Sequence, residues 1–402
     1  MQIIRSHRIN CIMWIERDMQ DLLLRRVQQR PAVVLTGARQ TGKTSLVRHV
    51  FPDYEFVSLD LPSEAELAEH DPRTFLSRHP PPLIVDEVQY APGLFRHLKS
   101  VVDAHRDRNG QFILTGSQKF TLMKSVSESL AGRVDILELE TLSWKEARRY
   151  CPSLTVEEFL LRGGFPELHA CPEIETDGYY HAYVATYLER DLRQMLQVVQ
   201  LRDYERFLRA CALRSAQLLN RADLARDVGI SGSTAAAWLS VLQTTGEAVL
   251  LEPWFSNRTK SLVKTPKLYL CDSGLCAFLC GIRSPADFAA SPLAGALWET
   301  LVFGEIRRLQ INRKGRWEVS FWRDRTKEAD FLFNRGGRFD LADAKWTEHP
   351  ATHDVDPLRR IAAELPAGAV DRCLVICRTA QSYPLSSSAV AVPLYDIPDH
   401  WA

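Results

Sequence analysis

The chain has 402 residues, 46% hydrophobic and 25% charged, and its 50 basic and 50 acidic side chains leave no formal net charge. Such a composition supplies two or three globular cores and excludes both a disordered chain and a uniformly basic nucleic-acid binder, so any basic surface has to be local. Nine scattered cysteines do not form a secreted disulfide framework, no apolar run approaches the ~18 residues of a membrane span, and the first residues lack the apolar core of a secretory signal; a cytoplasmic protein with no membrane partner is expected.

Residues 1–12 read as an N-terminal extension, because Met13 followed by Trp14-Ile15-Glu16-Arg17 makes a more natural start. Ala32-Val33-Val34-Leu35 is a short apolar run with β-branched residues, hence a buried strand. The octet Gly37-Ala38-Arg39-Gln40-Thr41-Gly42-Lys43-Thr44 follows, and Ser45 to Val50 continues as a helix. The octet fills G-x-x-x-x-G-K-[ST] at every fixed position, between a strand and a helix N-terminus, which together make a phosphate site. Gly37 and Gly42 let the backbone wrap so that N–H groups face the phosphates, Lys43 reaches the β/γ-phosphates, and the Thr44 hydroxyl ligates Mg²⁺. Residues Gly37 through Ser45 are therefore the expected ATP cradle.

Four more strand candidates surround this loop: Tyr54–Leu59, Leu83–Val85, Phe112–Leu114 and Val134–Leu139. Helical stretches such as Pro92–Arg106 separate them, so the expected architecture is a parallel sheet covered on both faces. The third strand ends in Asp86-Glu87. A carboxylate at that position holds the Mg²⁺ water shell, and the next one polarises the attacking water. The following strand runs into Thr115-Gly116-Ser117-Gln118, where Ser117 and Gln118 are the candidates for sensing the γ-phosphate, against the alternative of a plain turn. Arg133 precedes the last strand, placed either to reach a γ-phosphate, within the molecule or across a subunit interface, or to make an ordinary surface ion pair.

With these motifs on the page the chain resembles the prokaryotic AAA-superfamily ATPases that carry a C-terminal domain of unknown function related to restriction endonucleases. The matching segments are GARQTGKT (37–44), LIVDEVQ (83–89), FILTGSQ (112–118), LAGRV (130–134), GGFPE (163–167), YLERDLR (187–193), KLYLCDSGL (267–275) and EADFLF (328–333). The resemblance implies an α/β P-loop NTPase core with sheet order 5-1-4-3-2. It leaves the physiological target open.

Beyond the ATPase domain (13–150), residues 151–203 read as a helical linker or lid, with Tyr179–Gln200 strongly helical and Glu189-Arg190-Asp191 on it. Residues 204–265 read as a winged helix-turn-helix: a helix at Arg221–Val228, a turn at Gly229-Ile230-Ser231, a second helix at Ser233–Gln243 and a wing from Ala248. That second helix offers Ser233, Thr234, Ala235, Ala236 and Ala237, which cannot read base edges. Arg221, Arg226, Arg258, Lys260, Lys264 and Lys267 suit sequence-blind phosphate contacts instead. DNA contact through residues 204–267 therefore competes with a purely structural or dimerising role.

Residues 266–402 read as a restriction-endonuclease-like α/β domain. A helix at Trp298–Leu309 carries Glu299 and Glu305, a strand hairpin spans Glu328–Phe333 and Phe339–Trp346, and a helix at Asp354–Leu365 leads to a strand at Cys373–Cys377. Asp330, Asp343 and Lys345 fit the Asp…Asp-x-Lys metal pattern, with Asp343 and Lys345 on one strand face. Asp330, Asp343 and a helix glutamate, Glu299 or Glu305, would chelate Mg²⁺, and Lys345 would stabilise charge on a scissile phosphate. Cys271, Cys276, Cys280, Cys373 and Cys377 occupy apolar positions and read as small buried hydrophobes. The expectation is a Mg²⁺-dependent ATPase, compatible with an oligomer, whose nucleotide state controls a nucleic-acid-directed, nuclease-competent C-terminal half. The alternative is an ATP-dependent switch or scaffold whose endonuclease-like domain is a catalytically inactive binding module.

Overall fold

The structure is a computed structural model and describes residues 14–117, 129–188, 201–255, 265–312, 317–324 and 326–400. Strand β1 (Ala32–Thr36) is buried along its whole length. It pairs in parallel with β4 (Phe112–Gly116) on one side and β5 (Val134–Glu138) on the other; β3 (Leu83–Asp86) and β2 (Glu55–Ser58) continue the sheet beyond β4. The order β2-β3-β4-β1-β5 places the strand before the glycine-rich loop inside the sheet, as expected. Alternation along β1 sorts its side chains. Val33 and Leu35 pack with Leu22 and Leu23 of α1 (Gln20–Gln29) and Leu46 and Val47 of α2 (Lys43–Val50). Val34 faces the opposite layer, with Phe75 of α4 (Pro72–Arg78), which follows α3 (Pro62–His70), and Leu94 and Leu98 of α5 (Leu94–Ala104). Burial on both faces explains why β1, β3 and β4 read as short apolar runs.

A helical segment follows. Helices α6 (Trp144–Tyr150) and α7 (Val156–Arg162) each open on a capping box, Ser143 with Glu146 and Thr155 with Glu158, which satisfies their first N–H groups. Two more helices, α8 (Pro166–Ala170) and α9 (Thr176–Tyr183), lead into a π-helical turn at Val184–Leu188. The helix expected over 179–200 thus begins earlier, and Glu189-Arg190-Asp191 lies outside the described residues.

After α10 (Leu201–Ala212) and the short β6 (Gln217–Leu218) come α11 (Arg221–Val228) and α12 (Gly232–Thr244). Asn220 caps α11, Gly229 at φ 82° ends it in the left-handed region, and Ser231 caps α12. Strand β7 (Ala248–Leu251) pairs antiparallel with β8 (Lys267–Leu270), which also pairs with β6. The return strand lies past residue 265, where the sequence suggested a boundary.

Beyond β8, α13 (Ser273–Leu279), α14 (Pro285–Ala290) and the long α15 (Ala294–Asn312) precede a six-stranded mixed sheet. Its order is β13-β14-β12-β11-β10-β9, formed by β9 (Glu318–Arg323), β10 (Glu328–Arg335), β11 (Arg338–Ala344), β12 (Val370–Cys377), β13 (Tyr383–Ser386) and β14 (Ala389–Pro393). The β10–β11 hairpin and a strand at β12 agree with expectation; the parallel pairing of β12 with β11, and the strands β9, β13 and β14, are additional. One face, with Phe331, Phe333 and Ile376, packs on Trp298 and Leu301 of α15; the other, with Leu332 and Val375, packs on Leu358 and Ile361 of α16 (Asp356–Ala362). The helix expected to begin at Asp354 begins two residues later, after a 3₁₀ turn at Thr352–Val355. No helix among the described residues is long and apolar enough to cross a membrane.

Asp272 fastens these parts together. Its carboxylate, 2% exposed, caps α13 by accepting from Leu275 N at 2.9 Å. It also accepts from Gly164 N at 2.8 Å, Tyr180 Oη at 2.9 Å and Thr141 Oγ1 at 3.2 Å. Truncation removes the acceptor of donors in four segments at once, so Asp272→Ala should lower unfolding free energy by about 3 kcal/mol or more. Asp272→Asn should also destabilise, since its amide must turn N–H toward N–H; urea denaturation reads both.

Candidate functional site

The loop between β1 and α2 takes the shape its glycines permit. Gly37 has φ 147°, and a Cβ there would sit 2.1 Å from the Leu139 carbonyl oxygen, so no larger residue fits without displacing the backbone after β5. Gly42 has φ 90° and Gln40 φ 59°, both in the left-handed region; Gln40 accepts a hydrogen bond from the Tyr179 hydroxyl of α9. The Thr41 hydroxyl donates to Ala38 O at 3.1 Å. Lys43 opens α2 and curls back, its ammonium donating to Gly37 O at 3.0 Å and Ala38 O at 2.7 Å. Of the remaining cradle residues, Arg39 lies half-buried in the loop and Ser45 is exposed on the first turn of α2.

Thr44 points at the acidic pair. Its hydroxyl donates to Asp86 Oδ1 at 2.8 Å, and the Thr115 hydroxyl donates to the same oxygen. Burial pushes the Asp86 carboxyl above its usual range, while the two hydroxyl hydrogen bonds pull it back. Glu87, at φ 54°, turns its carboxylate away from β3 toward the Gln89 amide and the Ser117 hydroxyl, the latter at 3.4 Å. Its N–H donates to Thr115 Oγ1 at 3.3 Å. Thus Ser117 joins the site by holding Glu87, and Thr115 holds Asp86, a role the sequence analysis had not assigned. Gln118 lies outside the described residues. Arg133 is not turned to the loop: it makes a two-pronged pair with Asp103 of α5, at 2.7 and 3.0 Å, the bland alternative of the sequence reading.

The residues expected around a metal in the C-terminal domain assemble differently. Asp330 and Asp343 are neighbours, with Asp330 N donating to Asp343 Oδ1 at 3.1 Å and Ala344 N to Asp330 Oδ2 at 3.0 Å. Lys345 Nζ lies 3.3 Å from Asp343 Oδ2. The unforeseen member is Lys267, 2% exposed, whose ammonium reaches Glu328 at 2.7 Å, Glu299 at 2.9 Å and Asp330 at 3.1 Å. A cation supplied by β8 thus occupies the carboxylate cluster, and among the described residues no three His, Cys, Asp or Glu side chains are arranged to hold a metal ion. Glu299, Asp330 and Asp343, expected to chelate Mg²⁺, thus each face an ammonium group: Lys267 for the first two and Lys345 for the third. Glu305 is elsewhere, accepting from Trp144 N and from Arg308 Nη1, each at 3.0 Å.

Lys267 is also lost to the expected phosphate-contacting set. Arg226 is paired with Asp223 at 2.7 Å, and Arg258, Lys260 and Lys264 lie outside the described residues. Cys271, Cys276, Cys373 and Cys377 are buried, and burial pushes the thiols of Cys271 and Cys373 up.

Burial and the neighbouring Asp330 raise Glu299 from 4.5 to about 8, against the opposing pull of Lys267. Between those two values the folded chain holds a proton that the unfolded chain has released. The protonated form's contribution is complete below 4.5 and is lost as pH rises through about 8. Stability should therefore fall with pH across that window, and Glu299→Gln should flatten the slope, as measured by urea midpoints at several pH values. Gly37→Ala should abolish nucleotide binding, read by fluorescent-nucleotide titration, because of its clash with Leu139.

Known proteins resemble the chain in three segments. Residues 29–148 match the family described as an AAA domain, residues 153–286 a domain of unknown function (DUF8612), and residues 294–397 another (DUF4143). The solved Walker-type ATPase PABY2304 of Pyrococcus abyssi aligns over 66% of this chain and 96% of its own, at 17% identity and TM-score 0.45. Over 391 residues the chain is 31% identical to Rv2008c of Mycobacterium tuberculosis and to Mb2031c of Mycobacterium bovis, covering 96% of this chain and 85% of each relative. The chain belongs to the family of these mycobacterial proteins, and its first domain is an AAA-type P-loop ATPase that binds and hydrolyses ATP.

Proposed function

We propose that ATP hydrolysis here depends on Mg²⁺ and that nucleotide state governs the C-terminal half. The observation that carries the first part is the convergence of Thr44 and Thr115 on the buried Asp86 carboxylate. A hydroxyl and a desolvated carboxylate side by side are hard oxygen donors, which fits Mg²⁺. Thr44 and Asp86 would hold the ion, and bound there it neutralises charge on the β- and γ-phosphate oxygens. Lys43 leaves Gly37 O and Ala38 O to meet the phosphates. Glu87, steadied by Gln89 and Ser117, takes the proton side of the attacking water.

Relay to the C-terminal half is supported by α15. Arg307 donates to Glu138 at 3.0 Å and Glu140 at 2.8 Å, at the end of β5, and Arg308 donates to Thr141 Oγ1 at 2.6 Å. For the C-terminal domain itself, the Lys267 ammonium among Glu299, Glu328 and Asp330 favours a binding module over a nuclease. The α11–α12 pair with its β7–β8 strands is consistent with a winged helix that touches nucleic acid without reading sequence. The Asp343–Lys345 pair is what a nuclease reading has in its favour.

Lys43→Ala should reduce Mg²⁺-dependent ATP turnover by about a hundredfold or more, and Glu87→Gln by a similar factor with ATP binding retained. Wild-type turnover in Lys43→Ala would sink the assignment. With Mg²⁺ or Mn²⁺, wild type and Asp343→Ala should show the same background DNA cleavage; metal-dependent cleavage lost in Asp343→Ala would establish the nuclease reading instead.

A further inference from the structure

Arg17 precedes the ATPase sheet, outside every phosphate-binding motif, yet its side chain is 5% exposed and all three kinds of guanidinium nitrogen are engaged. Nη1 donates to Thr41 O, inside the glycine-rich loop, at 2.7 Å. Nη2 donates to Glu140 O at 2.7 Å, and Nε to Glu146 Oε1 at 3.2 Å. Glu146 is 3% exposed and is itself fixed, accepting from Asp18 N at 2.6 Å and Ser143 N at 2.7 Å. The guanidinium is therefore held rigidly from behind while one arm grips the loop.

We propose that Arg17 is a positioning residue for ATP hydrolysis, orienting the Thr41–Gly42 peptide so that the Gly42 N–H faces the phosphates. The inference rests on the ATPase reading above. A trans peptide is planar, and its C=O and N–H point to opposite edges. With Thr41 C=O anchored on Arg17, the Gly42 N–H is turned to the other side of the loop, the side that cradles phosphate. Gly42 is free to rotate its peptide, having φ 90° and no Cβ, so a restraint is needed. Arg17 lies close enough to supply it: a Cβ on Gly42 would be 3.6 Å from Nη1. The bond is charge-assisted, so it also polarises the peptide and makes the N–H a stronger donor to an anion. A preset donor aimed at developing charge costs no reorganisation during reaction.

A purely structural arginine would change how much protein folds without changing the chemistry of the folded fraction. The test therefore compares kcat and KM for ATP, with Mg²⁺ and per folded molecule by circular dichroism. The variants are Arg17→Lys, Arg17→Ala and the double variant Arg17→Ala/Glu146→Gln, which removes the orphaned buried charge that the single truncation leaves. Both Ala-containing variants should lose roughly tenfold or more in kcat and show a raised KM, as expected when a phosphate donor is misaligned. Arg17→Lys, with one donor site in place of a fork, should recover only part of the loss. Millimolar guanidinium chloride should partly restore kcat to Arg17→Ala and leave wild type unchanged. A folded double variant with kcat and KM within about twofold of wild type overturns the proposal. Lys43→Ala runs alongside: if wild type turns over ATP no faster than Lys43→Ala, it is the ATPase reading that has failed, and the role of Arg17 falls with it.

Discussion

The buried Asp272 carboxylate is the contact on which the arrangement of the chain depends. It draws the turn after α7, the end of the ATPase domain and the start of α13 to within hydrogen-bond reach of one side chain. Such an approach tolerates no side chains in between. A Cβ on Gly163, which has φ 74°, would lie 2.2 Å from both Asp272 Oδ1 and the Tyr180 hydroxyl; one on Gly274 would lie 2.4 Å from Gly163 N. A Cβ on Gly164 would lie 2.5 Å from Leu142 O. Gly163 and Gly274 thus form two halves of one joint, each needing glycine because the other segment is there, while Gly164 is held by the end of the ATPase domain. Tyr180, fully buried beside Asp272, is driven well above the usual phenol range, so it stays a donor at any ordinary pH.

A second seam runs from the phosphate loop to α15. Gly37 abuts the Leu139 carbonyl, and the residues flanking Leu139 are gripped from the far side: Glu138 and Glu140 by Arg307, Thr141 by Arg308. Arg17 bridges the two by holding both Thr41 O and Glu140 O. Taking these charges out of water costs much of what their attraction returns, so their main effect is to permit one docking geometry and penalise others. Glu305, raised to about 7 by burial, sits on the same seam between Trp144 N and Arg308. The long helix cannot shift relative to β5 without leaving desolvated charges unmatched.

Legibility in the sequence followed the range of the interactions. The ATPase site was readable because its chemistry lies in short contiguous runs: GARQTGKT, then Asp86-Glu87 at a strand end, then Ser117 two residues after Thr115. Sheet order followed from a family resemblance to those same runs. Arg17 was invisible because its partners are 24, 123 and 129 residues away. The alternation that correctly paired β10 with β11 could not reveal β13 and β14, short stretches of which one holds Pro384 and the other ends on Pro393. Arg133 stayed undecided for the opposite reason: its position before β5 suited either a phosphate or an ion pair, and only the fold shows Asp103, near the end of α5, within its reach.

In the C-terminal cluster a local motif meets one residue distant in sequence, Lys267. Asp330, Asp343 and Lys345 satisfy a metal pattern by spacing alone, and the structure does bring them together. The buried carboxylates of Asp330 and Asp343 need compensating positive charge, with the half-buried Glu328 beside them and Glu299 holding its proton up to about 8, and either a divalent ion or ammonium groups can provide it. Lys267 is fixed to the backbone of β8 and arrives with the fold, so it has no entropy of association to overcome, whereas an ion would have to displace it. Its carboxylate partners hold Lys267 well above the usual lysine range despite burial, which keeps the charge in place at any ordinary pH. Because β8 pairs with β6 and β7, that same ammonium pins the sheet beside α11 and α12 to β10 of the C-terminal domain. A motion separating those two parts would have to pull a buried cation out of its carboxylates, so they are expected to move as one body.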